Sequence, residues 1–171
     1  KLVLQSPIKQ CELDPIPISL VKQSISVLAP TITNIIHIPL YSGTFPSSFK
    51  LSIVTPLLKK PNLDKNNFSS YRPISNLSFL SKLTERVVKD RLSAHLSKNS
   101  LFNPFQSAYI PFHSTESVLL SLYDSIIRAI SKQQVTCLCL LDLSAAFDTI
   151  DHSILIHRLS SWFGIENTAL S

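Results

Sequence analysis

The 171-residue sequence contains no methionine and only two glycines, Gly43 and Gly164. Walker and dinucleotide-binding loops need several glycines close together, so that backbone can approach a phosphate without a Cβ in the way. Both classes are therefore excluded. Cysteine is nearly as scarce, with Cys11, Cys137 and Cys139 alone. No second Cys or His pair stands at zinc spacing, and an odd, sparse set makes no disulfide framework. Buried, reduced thiols in an intracellular protein are the expectation. No stretch reaches the ~18–20 apolar residues of a membrane span, so no membrane partner is expected. No signal peptide is visible. The missing methionine, at the first position as elsewhere, leads us to expect a piece of a longer reading frame.

What is present is enough to fold. Hydrophobic residues make up 44% of the chain, which excludes global disorder, and the length suits one domain or part of a larger one. Lys and Arg total 16 against 11 acidic residues, a formal net charge of +5. A mildly basic surface suits a polyanion without requiring one.

Along the chain, Asp14-Pro15-Ile16-Pro17 reads as a turn. Leu20, Val21, Ile25 and Leu28 then recur at helical spacing. Pro30 is placed to start a second helix, which Pro39 should kink or end early and Gly43 should stop. Residues 52–55 predict a short strand that Pro56 limits to an edge, an end or a bulge. A polar loop over 59–70 leads to an extended segment at 71–76, since Pro73 disfavours helix at Arg72. An amphipathic helix is predicted over 77–97, on Leu80, Leu83, Val87 and Leu92. A second is predicted from Ser114 or Thr115 to about Lys132, with Glu116 in its favourable first turn. The run 135–141 reads as a fully buried strand carrying Cys137 and Cys139 on one face. A last helix over 153–163 should stop at Gly164, with Trp162 and Phe163 in the core. The fold class that results is α+β, or mixed α/β, with long helices packed on a small sheet.

The chemistry is concentrated after that apolar run, in Asp142-Leu143-Ser144-Ala145-Ala146-Phe147-Asp148-Thr149-Ile150-Asp151-His152. A carboxylate at the C-terminal end of a buried strand sits at a sheet rim, where open sheets place ligands. Its burial costs several kcal/mol unless a cation or donors compensate, and a divalent metal is one such cation. The plainer alternative is an aspartate capping the next helix, which needs no metal. Small residues at 144–146 would let backbone approach a ligand, and Phe147 is either a core ring or a flat wall beside one.

That string resembles the first catalytic motif of reverse transcriptases, in the form found in non-LTR (LINE-type) retrotransposons of the jockey-like group. Three other blocks are similar in order and spacing. They are Thr55-Pro56-Leu57-Leu58-Lys59-Lys60-Pro61, then Tyr71-Arg72-Pro73-Ile74-Ser75-Asn76, then Gln106-Ser107-Ala108-Tyr109 with His113-Ser114-Thr115-Glu116. The resemblance implies a partial reverse transcriptase domain over 1–171, with a fingers-like region over about 1–134 and the start of the palm over about 135–171. It implies an RNA-directed DNA polymerase that adds dNTPs to a primer 3′-OH on an RNA template, with two Mg²⁺ (or Mn²⁺) ions and nuclear action.

By the same resemblance, Asp142 is the first metal-binding aspartate, and the Leu143 carbonyl completes its site. The N–H groups of Ala145 and Ala146 face the incoming triphosphate, and Phe147 is the ring that clashes with a 2′-OH. Arg72 grips the triphosphate, helped by Lys59 or Lys60, which the resemblance leaves open. Gln106, His113 and Ser114 are either template contacts or an ordinary helix start. Asp148 and Asp151 are expected to be structural. The family's adjacent Asp-Asp pair occurs nowhere in these residues. The chain alone is therefore expected to be inactive, and a nucleic-acid-binding remnant without catalysis is the alternative.

Overall fold

The computed structural model describes residues 1–143 and 146–170. Its elements are α1 (Leu2–Gln5), α2 (Ile18–Gln23), α3 (Ile25–Ser42), α4 (Ser47–Lys50), β1 (Ser52–Leu58), β2 (Tyr71–Leu77), α5 (Phe79–Lys98), α6 (Thr115–Ser131) and α7 (His152–Ser161). Among the described residues, helices with one two-stranded sheet make the fold α+β. The chain divides into two compact units: Lys1–His95 with the segment from Leu159 onward, and Leu96–Arg158.

The first unit holds the core. Val3, Ile18, Val21, Ile36, Phe79 and Leu83 are buried together, with Ile25, Leu28, Ile32 and Leu40 of α3 packed against them. That stripe explains why α3 departs from the expectation. It runs unbroken through Pro30 and Pro39 and closes at Gly43, whose φ of 66° is left-handed. Each internal proline costs about 3 kcal/mol. Fully burying an Ile or Leu returns roughly 1.5–3 kcal/mol, and with Ile36 buried and Ile25, Leu28, Ile32 and Leu40 partly so, a continuous apolar face offsets two prolines. By length and composition the 18 residues of α3 could also cross a bilayer. Here their apolar stripe is committed to the core.

α5 is the other wall of this unit, and its start is fixed from far away in sequence. The Phe79 N–H donates to Asp14 Oδ1 at 2.6 Å, and the Ser81 N–H donates to Ser78 Oγ at 3.3 Å. Ser81 and Thr84 are fully buried, and both are satisfied. The Ser81 hydroxyl donates to the Phe49 carbonyl at 2.8 Å, and the Thr84 hydroxyl to the Leu80 carbonyl at 2.9 Å.

β1 and β2 pair antiparallel, with Ser52 opposite Leu77, Leu58 opposite Tyr71, and Pro56 opposite Pro73. The Lys59 N–H donates to the Ser70 carbonyl at 2.9 Å, which makes the odd-numbered residues of β1 the hydrogen-bonded ones. Pro56 and Pro73 therefore face each other where no ladder bond is due. This is how β1 continues through a proline to Leu58.

In the second unit, α6 begins at Ser114 with a reciprocal cap. The Ser117 N–H donates to Ser114 Oγ at 3.2 Å, and the Ser114 N–H donates to Ser117 Oγ at 3.0 Å. Glu116 lies in the first turn. Its own backbone N–H, then the Ser114 hydroxyl, favour the ionised carboxylate and lower its pKa below the usual 4.5. A depressed native pKa stabilises the helix above the unfolded value, and that contribution is lost as pH falls through the native one. Circular dichroism of the Glu116→Gln variant should show a smaller loss of helix on acidification than the parent chain.

The run 135–141 is not a buried strand. It has no regular structure, and Val135, Leu140 and Leu141 are 99%, 82% and 90% exposed. A fully buried strand needs hydrogen-bonded neighbours and cover on both faces. Among the described residues the only sheet is β1–β2, so nothing pairs with this run. Cys137 and Cys139 are exposed for the same reason, whereas Cys11 is buried as expected and its thiol donates to the Asn76 carbonyl. Trp162 is also exposed rather than core.

Candidate nucleotide and template site

The hairpin presents the cationic candidates. Residues directly opposite share a sheet face, so Arg72 and its partner Leu57 lie on one face, and Lys59 follows on the same side two residues beyond Leu57. Arg72 is exposed. The loop behind it is held by short side-chain bonds: Asp64 Oδ1 accepts from the Asn66 N–H at 2.9 Å, Asn67 Oδ1 accepts from the Ser69 N–H at 2.9 Å, and the Tyr71 hydroxyl donates to the Lys65 carbonyl at 2.9 Å. The Lys59 ammonium closes this loop by donating to the Ser69 carbonyl at 2.8 Å. Lys60 is exposed. The structure thus gives Lys59 a local bond, a distinction that spacing did not provide.

Gln106, His113 and Ser114 lie on the loop that leads into α6, each in a local bond of its own. The Gln106 amide donates to the Ala108 carbonyl at 3.1 Å, and His113 Nδ1 lies 3.0 Å from Ser107 Oγ. Ser114 is the helix cap already described. Between them, Tyr109 and Phe112 have φ of 63° and 65°, a region that bulky side chains enter at a cost. Both rings are exposed, as aromatic rings available for stacking would be.

Asp142 and Leu143 are exposed, outside any strand. The rigid strand-end presentation expected for that carboxylate is absent, for want of partner strands. Ser144 and Ala145 lie outside the described residues. Ala146 begins a turn that runs to residue 149, and the Phe147 ring is 76% exposed. Asp151 does what was expected of it, since its Oδ1 accepts from the Ile154 N–H at 3.0 Å at the start of α7. Among the described residues, no three His, Cys, Asp or Glu side chains are grouped to hold a metal ion. Arg72, Lys59 and Lys60 belong to the first unit, and the acidic and aromatic candidates to the second. A residue missed in the sequence is Asp14, whose partner at Phe79 is 65 positions away. No local pattern signals such a bond.

Comparison with known proteins adds the missing context. The chain is 30% identical over 119 residues to a probable RNA-directed DNA polymerase from transposon BS of Drosophila melanogaster, covering 70% of this chain and 13% of that protein. It is 28% identical over 119 residues to the RNA-directed DNA polymerase from mobile element jockey of Drosophila funebris, again covering 70% and 13%. A probable RNA-directed DNA polymerase from transposon X-element of Drosophila melanogaster is 29% identical over 108 residues, covering 63% and 12%. The chain thus spans about an eighth of the length of these relatives. No solved structure matches it significantly. The family model for reverse transcriptase (RNA-dependent DNA polymerase) matches residues 58–167, from the end of β1 past Gly164, and the chain belongs to that family, as a fragment of the non-LTR retrotransposon type.

Proposed function

We propose that this chain is the fingers and the beginning of the palm of an RNA-directed DNA polymerase that copies RNA from a primer 3′-OH. The single observation that carries the reading is the family match over 58–167, which takes in Lys59, Arg72, Asp142 and Phe147 in one ordered set. On this reading residues 1–134 are the fingers-like part and 135–171 open the palm. Action in the nucleus goes with it, as do an RNA template, a DNA primer and dNTPs as partners.

The roles follow from side-chain chemistry. The Arg72 guanidinium offers a planar fork of donors that matches two phosphate oxygens, so it neutralises and orients a triphosphate. Lys60, exposed beside the hairpin, adds a second cation, while Lys59 supports the loop that carries them. The N–H groups of Ala145 and Ala146 donate to phosphate oxygens. Gln106, His113 and Ser114 line the template path.

Reverse transcriptases depend on divalent metal. The donor set here fits part of such a site: the Asp142 carboxylate and the Leu143 carbonyl are hard oxygen ligands of the kind Mg²⁺ prefers. Bound metal would supply charge stabilisation for nucleotidyl transfer. A second carboxylate is needed to hold two ions, and the sequence has no Asp-Asp pair to provide it.

Primer extension tests the proposal. The 171 residues should extend no primer, whereas the same chain continued through an Asp-Asp hairpin should. Extension by the short chain would refute the claim of incompleteness. A folded long chain that extends nothing would favour the second reading, a nucleic-acid-binding remnant without catalysis. That reading draws on the net charge of +5 and the single candidate metal carboxylate.

Phe147 supplies a finer test. A ring packed under the sugar rejects a 2′-OH by clash. In the active, extended protein Phe147→Ala should raise ribonucleotide incorporation relative to deoxyribonucleotide by roughly 10²-fold. An unchanged ratio would remove the ring from that role.

A further inference from the structure

We infer that the cleft between the N-terminal segment and α5 is a binding site for the phosphodiester groups of a nucleic-acid backbone. The cleft has a volume of about 190 Å³, and its polar lining is Ser6, Lys9, Asp14, Lys82 and Arg86. None of these residues lies in the motifs that carry the polymerase reading. All of them belong to the first unit.

Three cations line the cleft with one carboxylate, of which one oxygen is committed elsewhere. Asp14 Oδ1 accepts the Phe79 N–H at 2.6 Å, while Oδ2 is buried without a hydrogen-bond partner. The negative charge thus sits at the positive end of the α5 dipole, where it is stabilised in place. Among the described residues, Lys9, Lys82 and Arg86 form no ion pair with an acidic side chain.

Lys82 and Arg86 are four residues apart on one face of α5, and like charges at that spacing repel until an anion lies between them. Arg86 is also oriented, since its guanidinium donates to Ser6 Oγ at 3.4 Å and leaves its other N–H groups for a ligand. A fourth cation stands beside Ser6: the Lys22 ammonium donates to the Leu4 carbonyl at 3.0 Å and to the Ser6 carbonyl. Lys9, Lys82 and Arg86 outnumber the one carboxylate of the cleft, and the Ser6 hydroxyl, which donates to the Leu2 carbonyl at 2.9 Å, holds Arg86 in place, so the excess positive charge suits a phosphate oxygen. The inference rests on the polymerase reading only for the choice of polyanion.

Fluorescence anisotropy on the 171-residue chain tests this, using labelled single-stranded RNA and DNA of one sequence across a salt series. The double substitution Lys82→Gln with Arg86→Gln touches only exposed side chains. It should weaken binding of both polymers roughly tenfold and flatten the plot of log K against log[salt] by about 1.4, or 0.7 per lost contact. Lys89→Gln with Arg91→Gln removes the same charge from α5 outside the cleft and should leave affinity within about twofold. Equal losses from the two pairs, no loss from the first, or no binding by the parent chain would each overturn the site. Loss for RNA alone would overturn it too, because phosphates are common to both polymers. The polymerase reading fails on a separate readout, the extended protein that folds and adds no nucleotide.

Discussion

Asp142→Ala, made in a chain that continues through an Asp-Asp hairpin, is expected to lower single-nucleotide incorporation by about 10³-fold or more. The magnitude follows from electrostatics. On the proposed reading, two divalent ions would be held against a triphosphate that is itself strongly anionic. Each carboxylate holding them would neutralise repulsion that no water molecule can replace. Asp142→Asn keeps the shape and one oxygen ligand but loses the charge, so it should fall nearly as far. Asp151→Asn is the matched control. Asp151 serves α7 by accepting the Ile154 N–H, and asparagine accepts the same bond. Its incorporation rate should stay within about twofold of the parent's. Normal incorporation by Asp142→Ala would reject the metal assignment.

Which parts of this molecule were legible in its sequence depended on whether the determining contacts were local. α5 and α6 were read within about two residues, because their apolar periods, and the Ser114 cap of α6, are written in neighbouring residues, whereas the Asp14 bond at the start of α5 is not. The extended reading of 71–76 also held, since Pro73 acts on the residue beside it. α3 was misread because two prolines are strong local signals, while the stripe from Ile25 to Leu40 acts through a core assembled from distant segments. The run at 135–141 failed in the opposite direction. Its apolar residues describe the environment a strand would need, and pairing is supplied by other strands or not at all. The same distinction divides the candidate site. The order of Arg72, Asp142 and Phe147 was visible as sequence motifs. The bond that engages Lys59 with Ser69, and the cleft that joins Ser6 to Arg86 across 80 positions, required the folded chain.

Leu83→Ala should be the most damaging single truncation of the core, costing about 3–5 kcal/mol. Leu83 is 4% exposed and packs in the cluster with Val3, Ile18, Val21, Ile36 and Phe79. Its position makes the loss hard to absorb. It lines the cavity of about 270 Å³ beside α3 and also the cleft of about 190 Å³ beside Arg86. Removing the side chain would join two existing spaces rather than leave one void for neighbours to fill, and the cost of such substitutions grows with the space left behind. Urea unfolding followed by Trp162 fluorescence reads the effect. Trp162 is the sole tryptophan and belongs to the unit that contains Leu83. The His95 imidazole Nε2 lies 2.7 Å from the carbonyl of Phe163, the next residue, which ties α5 to the reporter. Leu120→Ala, at an exposed position of α6, should shift stability by no more than about 0.5 kcal/mol. A shift under ~1 kcal/mol for Leu83→Ala would remove it from the centre of the core and take the two-cavity argument with it.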